Sequence, residues 1–454
     1  MSDATARLAA TCLLPSFPGV DVPDWARAFL DRGGLGFCLF AYNAPSRDEL
    51  RSLTDALRGE RADVLLAIDE EGGDVTRLEW REGSSYPSAA GLGVVDDAEL
   101  TEEVAASIAA DLAHAGVNWD LAPVADVNVP ANPVIGVRAF GDDARVVAAH
   151  AAAFVRGLQR FRVAACAKHF PGHGATEQDS HLELPVVTGE LDDALEPFRA
   201  AIGAGVQTVM TAHVRVPSLG DVPATLNGRV VHDLLRLELG FRGVVVADAL
   251  EMRGVSATIG VEEAAVAALR AGVDLLCVGH DLGGGDVAAI ERAIADAVAG
   301  GRLSGDRLAE AAERVERLAA WARPEPGAVD GAVGDVAARR AIAVTGDVAL
   351  GPDAAIVELR PRANIAAGEH EHAFPGARVV REGEPVPDAD AYVVRDAHRH
   401  AWMRDAVDRE GVVVVEVGLP VWRPGRARGY VATYGAGRAS LVAAGGALQA
   451  RVTA

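Results

Sequence analysis

The feature that most constrains the fold is a regular alternation of short apolar runs and longer amphipathic stretches, which continues to about residue 320. Apolar runs of strand length followed by helix-like segments are typical of parallel βα units. The predicted strands are Cys12-Leu13-Leu14, Leu35 to Ala41, Val64 to Asp69, Val117 to Pro123, Val163 to Lys168, Gln207 to His213, Val244 to Asp248 and Asp274 to Gly279. The predicted helices lie near 46–58, 98–115, 142–160, 190–204, 228–238, 260–271, 283–299 and 303–321. The pattern fits a (β/α)8 barrel of the TIM type, with a doubly wound open sheet as the alternative, because strand order cannot be read from it.

The length of 454 residues exceeds one ordinary domain, so we expect two. Residues 323–334 contain the proline and glycine typical of a linker. Short strand candidates follow at Ala354 to Leu359, Ala391 to Arg395, Val412 to Val417 and Tyr430 to Thr433. We therefore predict a barrel over residues 1–322, a linker over 323–334 and a small α/β domain over 335–454.

The composition indicates which binding partners and which cellular compartment to expect. The formal net charge of −22 would repel a phosphate backbone, so we do not expect nucleic acid to bind. The first residues lack the basic patch and apolar core of a signal peptide, and no later apolar run reaches the ~18 residues of a membrane span. We expect a cytoplasmic protein that does not bind a membrane. Its four cysteines lie far apart in apolar runs and indicate buried thiols rather than disulfides or metal ligands: Cys12, Cys38, Cys166 and Cys277.

Ionisable residues close four of the predicted strands: Asp69, Lys168, His213 and Asp248. The carboxyl ends of barrel strands are where such folds keep their active sites. The loop after Lys168 contains two glycines and a proline, which favour an irregular path that can present side chains into one space. The sequence therefore predicts an active site at this end of the barrel.

Several motifs together carry a family resemblance. Lys168-His169-Phe170-Pro171-Gly172-His173-Gly174, followed by Asp179-Ser180-His181, resembles the signature of glycoside hydrolase family 3, in its β-N-acetylglucosaminidase branch. The supporting blocks are Ile68 to Arg77, Asn132 to Gly141, Met210 to Val214, Pro223 to Thr225 and Val246 to Met252. They occur in family order over roughly residues 33–280. The resemblance implies a retaining glycosidase that removes terminal non-reducing β-linked N-acetylglucosamine.

The resemblance also implies the catalytic groups. Asp248 matches the nucleophile of the family, and His181 with Asp179 matches the acid/base dyad of this branch. Many relatives have two consecutive aspartates at the nucleophile position, whereas here only Asp248 is present. An imidazole with a pKa near 6.5 can both donate and accept a proton near neutrality, and an aspartate can orient its ring. The alternatives are that Asp248 only caps the next segment and that Asp-Ser-His is a turn.

Five residues match the sugar-binding positions of the family: Asp69, Arg77, Arg138, Lys168 and His169. Charge-assisted hydrogen bonds from such groups would hold the sugar ring in a reactive geometry. For Arg77 and Arg138 the alternative is a structural ion pair with Glu70, Glu71 or Asp142. His213 is expected to position loops, and His173 to anchor the glycine turn.

No cofactor and no metal are expected. The segments Glu369-His370-Glu371-His372 and Asp396-Ala397-His398-Arg399-His400 have histidines at i, i+2, and this chemistry needs no metal. We interpret both segments as solvated or interdomain surface.

The reaction itself has alternatives. The implied substrate is a small saccharide such as a chito-oligosaccharide or a recycled cell-wall (muropeptide) fragment, with water as the acceptor. Phosphorolysis, with inorganic phosphate as the acceptor, is the first alternative, because a neutral histidine does not repel phosphate as a carboxylate would. A non-catalytic sugar-binding protein is the second. The third is a glucosidase whose acid/base lies on the second domain.

Overall fold

The computed structural model describes residues 3–176, 184–187, 191–252, 254–255, 259–279, 282–325, 327–362, 368 and 372–449. Eight parallel strands form the first domain: β1 (Leu13–Leu14), β2 (Gly36–Leu39), β3 (Leu65–Ile68), β4 (Trp119–Asp120), β5 (Cys166–Phe170), β6 (Thr208–Thr211), β7 (Val244–Ala247) and β8 (Leu275–Cys277). The order β1-β8-β7-β6-β5 continues through isolated bridges between β5 and β4, and β4 pairs with β3 and β2. The Cys38 amide donates to the Pro15 carbonyl at 2.9 Å and links β2 back to the β1 end. The strands thus close into a barrel, and the open-sheet alternative is wrong.

Helices cover the outside of the barrel. They are α1 (Asp3–Thr11), α2 (Asp24–Asp31), α3 (Arg47–Glu60), α4 (Ala89–Val95), α5 (Ala98–His114), α6 (Ala144–Arg160), α7 (Leu191–Gly203), α8 (Arg229–Glu238, π-type), α9 (Val261–Ala271), α10 (Gly284–Ala299) and α11 (Gly305–Trp321). Local capping explains several starts. The side chains of Ser46 and Asp97 accept hydrogen bonds from the amides of Glu49 and Leu100, which satisfies otherwise unpaired donors. No helix in the described part of the chain is long and apolar enough to cross a membrane.

Alternate side chains of each barrel strand pack into the barrel interior and outward against the helices. Leu65 and Ala67 pack inside the barrel, whereas Leu66 and Ile68 pack outward against the helices. The same alternation holds in β7, whose Val244 and Val246 face the interior. Because successive strand residues point to opposite faces, the next inward positions after these runs are residues 69 and 248. The pleat itself directs two carboxylates into the barrel mouth.

The second domain is a six-stranded sheet with helices on both faces. Its strands are β9 (Ala343–Gly346), β10 (Ile356–Arg360), β11 (Arg378–Arg381), β12 (Ala391–Val394), β13 (Val413–Glu416) and β14 (Gly429–Ala432). Their spatial order is β11-β10-β12-β13-β14-β9, and all neighbours are parallel except β14 and β9. The accompanying helices are α12 (Val333–Ala341), α13 (Ala401–Val407) and α14 (Arg438–Gln449). Apolar clusters on the two faces make this an α/β domain with its own core.

The two domains are joined by hydrogen bonds at the loop that follows β3. Asp74 is buried, pairs with Arg395, and accepts the Ala436 amide at 2.7 Å. The Ser88 hydroxyl donates to the Tyr434 carbonyl. The second domain therefore contacts the segment that begins at the carboxyl end of β3.

All eight predicted barrel strands are present, each shorter than predicted or shifted by a few residues. The helices α1, α2 and α4, the strands β9 and β11, and the bounds of the helices α12 to α14 were not predicted. The predicted domain bounds stay a prediction. In the described part of this region, α11 ends at Trp321 and α12 begins at Val333.

Candidate active site

The centre of the candidate site is the ammonium group of Lys168, which is only 2% exposed. Its Nζ lies 2.7 Å from Asp69 Oδ1 and 2.7 Å from Glu71 Oε1. Burial would lower the pKa of Lys168, but the negative charges of Asp69 and Glu71 outweigh it and raise that pKa above its ordinary value. Lys168 is thus a fixed positive charge held at the carboxyl end of the barrel.

Arg138 contacts the same cluster from the loop after β4. Its Nε and Nη2 donate to the two oxygens of Glu71 at 2.9 and 2.7 Å, in a bidentate pair that is nearly fully buried. Burial would raise the pKa of Glu71, but Arg138 and Lys168 outweigh it and hold that pKa well below its usual range. The ion-pair alternative for Arg138 is therefore present, with Glu71 as its partner. The pair lies beside Lys168, so Arg138 still belongs to the cluster.

Arg77 lies on the same loop as Asp69. Its Nη2 is 3.7 Å from Asp69 Oδ2, and its amide donates to Glu70 Oε2 at 2.8 Å. Burial raises the pKa of Glu70 to about 7, against the hydrogen bonds from the amides of Arg77 and Leu78. Glu70 therefore shapes the loop, while Arg77 and Asp69 remain side by side at the barrel mouth.

Asp126 fixes the two histidines of the glycine-rich loop. It is fully buried, and its Oδ2 accepts the Nδ1 proton of His169 at 2.7 Å while its Oδ1 accepts the His173 amide at 2.5 Å. Burial would raise the pKa of Asp126, but the two imidazoles outweigh it and lower that pKa. An ionised Asp126 leaves the Nε2 of His169 available to a ligand.

The loop is also held against the β4 side of the barrel by backbone contacts. The Asn132 side-chain amide donates to the carbonyls of His173 and Gly174 at 2.8 and 3.1 Å. A Cβ at position 174 would lie 2.0 Å from the Val127 carbonyl oxygen, so only glycine fits there. The prediction that His173 anchors the glycine turn agrees with these contacts, together with its 3.0 Å bond to Thr176.

The pH dependence of stability should report on His173. Burial lowers the pKa of this histidine from 6.5 to about 4, although the charge of Asp126 opposes the shift. Between about pH 6.5 and 4 the unfolded chain is protonated here and the folded chain is not, so the free energy of unfolding falls as the pH drops, by about 3 kcal/mol from this group. Urea denaturation at pH 7 and at pH 4 gives the change in the free energy of unfolding between the two pH values. This change should be smaller in His173→Gln than in the wild type by about 3 kcal/mol. Equal losses in both proteins would contradict the assignment.

Asp248 follows β7 and is half-buried. Its amide donates to the Thr211 carbonyl at 3.2 Å, and its Oδ1 accepts the Ala249 amide at 2.8 Å. Its position directly after β7 places it at the carboxyl end of the barrel, the end that also carries the glycine-rich loop after β5. His213 braces this turn, with Nε2 at 3.0 Å from the Ala249 carbonyl and Nδ1 at 2.9 Å from Thr225 Oγ1. The prediction that His213 positions loops agrees with this geometry.

Asp179 and His181 lie outside the described residues. The described part of their loop ends at Thr176 and resumes at residue 184. The structure therefore brings together Asp69, Arg77, Arg138, Lys168, His169 and Asp248, and the acid/base dyad stays a prediction.

Two residues at the site were not predicted as functional: Glu71 was named only as a possible ion-pair partner of the arginines, and Asp126 was not singled out. Glu71 neutralises both Lys168 and Arg138, and Asp126 holds His169. The signal for Glu71 was its position in the Ile68 to Arg77 block, next to Asp69. The signal for Asp126 was an acidic residue in the apolar stretch just after β4.

The arrangement can bind a polyhydroxyl ligand beside a carboxylate. Lys168 and Arg77 can donate to hydroxyls, Asp69 can accept from them, and Asp248 lies at the same opening. No group of three or more side chains with the chemistry and spacing of a metal site occurs in the described ranges. The two histidine-containing segments of the second domain were interpreted as surface. Of these, His398 and Arg399 contact the carbonyls of Pro130 and Asn132, so they are interdomain surface.

Comparisons with known proteins agree with this geometry. The glycosyl hydrolase family 3 N-terminal domain matches residues 23–318. A beta-hexosaminidase of Bordetella avium (strain 197N) is 41% identical over 254 residues, which are 54% of this chain and 73% of that protein. A beta-hexosaminidase of Stenotrophomonas maltophilia (strain R551-3) is 37% identical over 281 residues, 59% of this chain and 83% of that protein.

A solved structure extends the likeness to both domains. The family 3 beta-N-acetylglucosaminidase of Paenibacillus sp. str. FPU-7 superposes with a TM-score of 0.86 at 29% identity, over 98% of this chain and 96% of that one. The barrel, the cluster at its mouth and these matches lead to one conclusion. This chain belongs to glycosyl hydrolase family 3 and is a glycosidase.

Proposed function

We propose that this enzyme removes terminal, non-reducing β-linked N-acetylglucosamine with retention of configuration, through a covalent intermediate on Asp248. The observation that carries the proposal is the position of Asp248 at the carboxyl end of β7, at the mouth that also holds Lys168 and Asp69. A retaining glycosidase needs one carboxylate nucleophile and one group that first donates and then accepts a proton. The names of the relatives, beta-hexosaminidase and beta-N-acetylglucosaminidase, support this substrate.

The reaction has two steps. Asp248 attacks the anomeric carbon while His181 donates its proton to the leaving oxygen, which breaks the glycosidic bond and forms the glycosyl ester. Water then attacks the same carbon, His181 takes the proton from that water, and the ester bond to Asp248 breaks. Asp179 orients the imidazole and stabilises its protonated form, as a carboxylate does for histidine in hydrolase triads.

The buried cluster would hold the sugar ring. Asp69 keeps one oxygen on Lys168 and the other toward Arg77, so it can accept from two neighbouring hydroxyls of a bound ring. His169 can offer Nε2, because Asp126 accepts the proton on its Nδ1. Arg138 acts indirectly, because its guanidinium is paired with Glu71 and holds in place the carboxylate that flanks Lys168. Preorganised charges of this kind lower the cost of orienting the substrate.

The source of the substrate follows from a cytoplasmic location, which is itself part of the proposal. Chito-oligosaccharides taken into the cell and recycled cell-wall fragments both carry terminal β-linked N-acetylglucosamine. The proposed chemistry uses only side chains of this chain, without a cofactor.

A substrate panel tests the proposal. The purified full-length enzyme should release 4-nitrophenol from the β-N-acetylglucosaminide at least 100-fold faster than from the β-glucoside, because an active site that binds a polar substituent strongly rejects the analogue that lacks it. Thin-layer or mass-spectrometric analysis of the products, with and without inorganic phosphate, should give free N-acetylglucosamine in both cases. Preferential release from the glucoside, or formation of the sugar 1-phosphate as the main product, would overturn the hydrolase assignment.

A second pair of substrates tests the role of His181 as the acid/base residue. His181→Ala should slow cleavage of chitobiose by about 10²–10⁴-fold, the usual contribution of general acid catalysis. The nitrophenyl substrate should suffer less in its first step, because its leaving group needs no proton. Equal losses for the two substrates would contradict the role of His181 as proton donor.

A further inference from the structure

A cavity of about 630 Å³ lies between the second domain and the loop that carries Arg138. One wall is formed by residues 132–138 of the barrel domain and the other by the carboxyl ends of strands in the second domain. Asp69, Lys168 and Asp248 do not line it. The cavity is large enough for a sugar-sized ligand and is distinct from the catalytic mouth, although Arg138 belongs to both.

The cavity lies at the topological switch point of the second sheet. β10 and β12 are neighbours, but the chain leaves β10 toward β11 on one side and leaves β12 toward β13 on the other. Connections that diverge in this way open a crevice at the carboxyl ends of the two strands, and ligands of open α/β sheets bind there. The lining residues Leu359 to Arg362 and Val393 to Asp396 are the ends of β10 and β12.

The lining is positively charged in a strongly acidic protein. The net charge of the chain is −22, yet the arginines that line the cavity outnumber the carboxylates. The arginines are Arg138, Arg360, Arg362, Arg381, Arg395 and Arg399, and the carboxylates are Asp74, Glu358, Glu382 and Asp396. A concentration of guanidinium groups in a concave site favours an anionic ligand.

Several of these arginines already have partners. Arg395 pairs with Asp74, Arg360 with Glu358, and Arg399 donates to the Asn132 carbonyl. Arg362 and Arg381, in contrast, have no ion pair with any carboxylate in the part of the chain that the structure describes. Two guanidinium groups at the cavity are therefore available to a bound anion.

A histidine adds a second kind of contact. His398 Nε2 donates to the Pro130 carbonyl at 3.2 Å, while its Nδ1 is buried and has no hydrogen-bond partner among the described residues. In that tautomer Nδ1 is an acceptor, which suits a ligand hydroxyl. Guanidinium donors and a buried imidazole acceptor together match a molecule that carries both a carboxylate and hydroxyls.

We propose that this interdomain cavity is a second binding site, for an acidic sugar whose carboxylate is held by Arg362 and Arg381. The ligand is either a free acidic sugar or the leaving part of the substrate. The second case is possible because Arg138 belongs both to the cavity and to the cluster at the catalytic mouth. The first source does not rest on the function proposed above, and the second does.

Binding is tested with two sugars that differ at one carbon. Calorimetry on the full-length protein should show D-glucuronate binding at least tenfold more tightly than D-glucose. The double variant Arg362→Gln with Arg381→Gln should lose this preference, because the charge-assisted hydrogen bonds to the carboxylate are then absent. Arg242→Gln removes another exposed arginine, on the barrel domain, and should keep the preference. Equal binding of both sugars by the wild type, or an unchanged preference in the double variant, would overturn the proposal.

Kinetics identifies the source of the acidic sugar. If the leaving part binds in the cavity, the double variant should raise KM for N-acetylglucosamine linked to glucuronate about tenfold more than KM for the same sugar linked to glucose. If the two KM values change alike while glucuronate binding is lost, the ligand is a free acidic sugar. If no N-acetylglucosaminide is turned over at all, the proposed function fails, and calorimetry still decides whether the cavity binds anions.

Discussion

Asp248→Asn is expected to reduce kcat for the nitrophenyl β-N-acetylglucosaminide by at least about 10³-fold, since an amide cannot form the glycosyl ester and removal of a covalent nucleophile is among the largest single effects in enzymes. The substitution keeps the size of the side chain, so Oδ1 can still accept the Ala249 amide. Initial rates at saturating substrate, with circular dichroism to confirm folding, give the measurement.

Two further variants show whether the loss is chemical. In Asp248→Ala, added azide should restore part of the rate by entering the space of the carboxylate. Asp296→Asn, on the exposed surface of α10, should behave as the wild type. A folded Asp248→Asn protein that retains more than a tenth of the wild-type rate would remove Asp248 as the nucleophile.

The largest effect on stability is expected at Glu71. Glu71→Gln removes the charge that faces both Lys168 and Arg138, and leaves two buried cations with too few counter-charges. Breaking a buried ion pair by removing one partner typically costs about 3–5 kcal/mol. Urea denaturation monitored by fluorescence should show this loss in the free energy of unfolding.

A matched exposed pair provides the control. Glu313 pairs with Arg317 on α11, and both side chains are more than half exposed. Solvent and salt screen such pairs, so Glu313→Gln should cost less than about 1 kcal/mol. Because the pKa of Glu71 is held low in the folded state, its stabilisation is present above the unfolded pKa of about 4.3 and is lost as the pH falls below it. A Glu71 variant as stable as the Glu313 variant would mean that the cluster reorganises without cost.

The sequence alone predicted those elements of the fold whose hydrophobic pattern is regular. Most of the barrel strands are apolar on both faces because helices cover one side and the barrel interior the other, and such runs are easy to recognise. The helix α4 was missed because its sequence, Ala89–Val95, is short and contains two glycines, which have low helix propensity. The strand β9 was missed because it is a largely exposed edge strand with little apolar pattern.

The site could be predicted only as far as single positions allow. Asp69 and Asp248 are found because each directly follows a strand, and Lys168 because it lies near the end of β5; strand ends meet in a barrel. The pairing of Glu71 with Arg138 joins residues 67 positions apart, and that of Asp126 with His169 joins residues 43 positions apart. The sequence offered Glu71 only as one of three possible partners of the arginines and did not indicate Asp126 as the partner of His169, because both pairings follow from how the loops after β3, β4 and β5 fold over one another.

The buried contact between Asp74 and Arg395 limits how this enzyme can be recombined with its relatives. The loop after β3 places Asp69 beside Lys168 and, five residues later, places Asp74 against Arg395 of the second domain. A chimera that joins this barrel to another C-terminal half would separate a carboxylate from the guanidinium it was matched to. A chimera that keeps this contact must therefore exchange residues 73–88 together with the C-terminal half. A single crossover at the boundary between the two domains would break it.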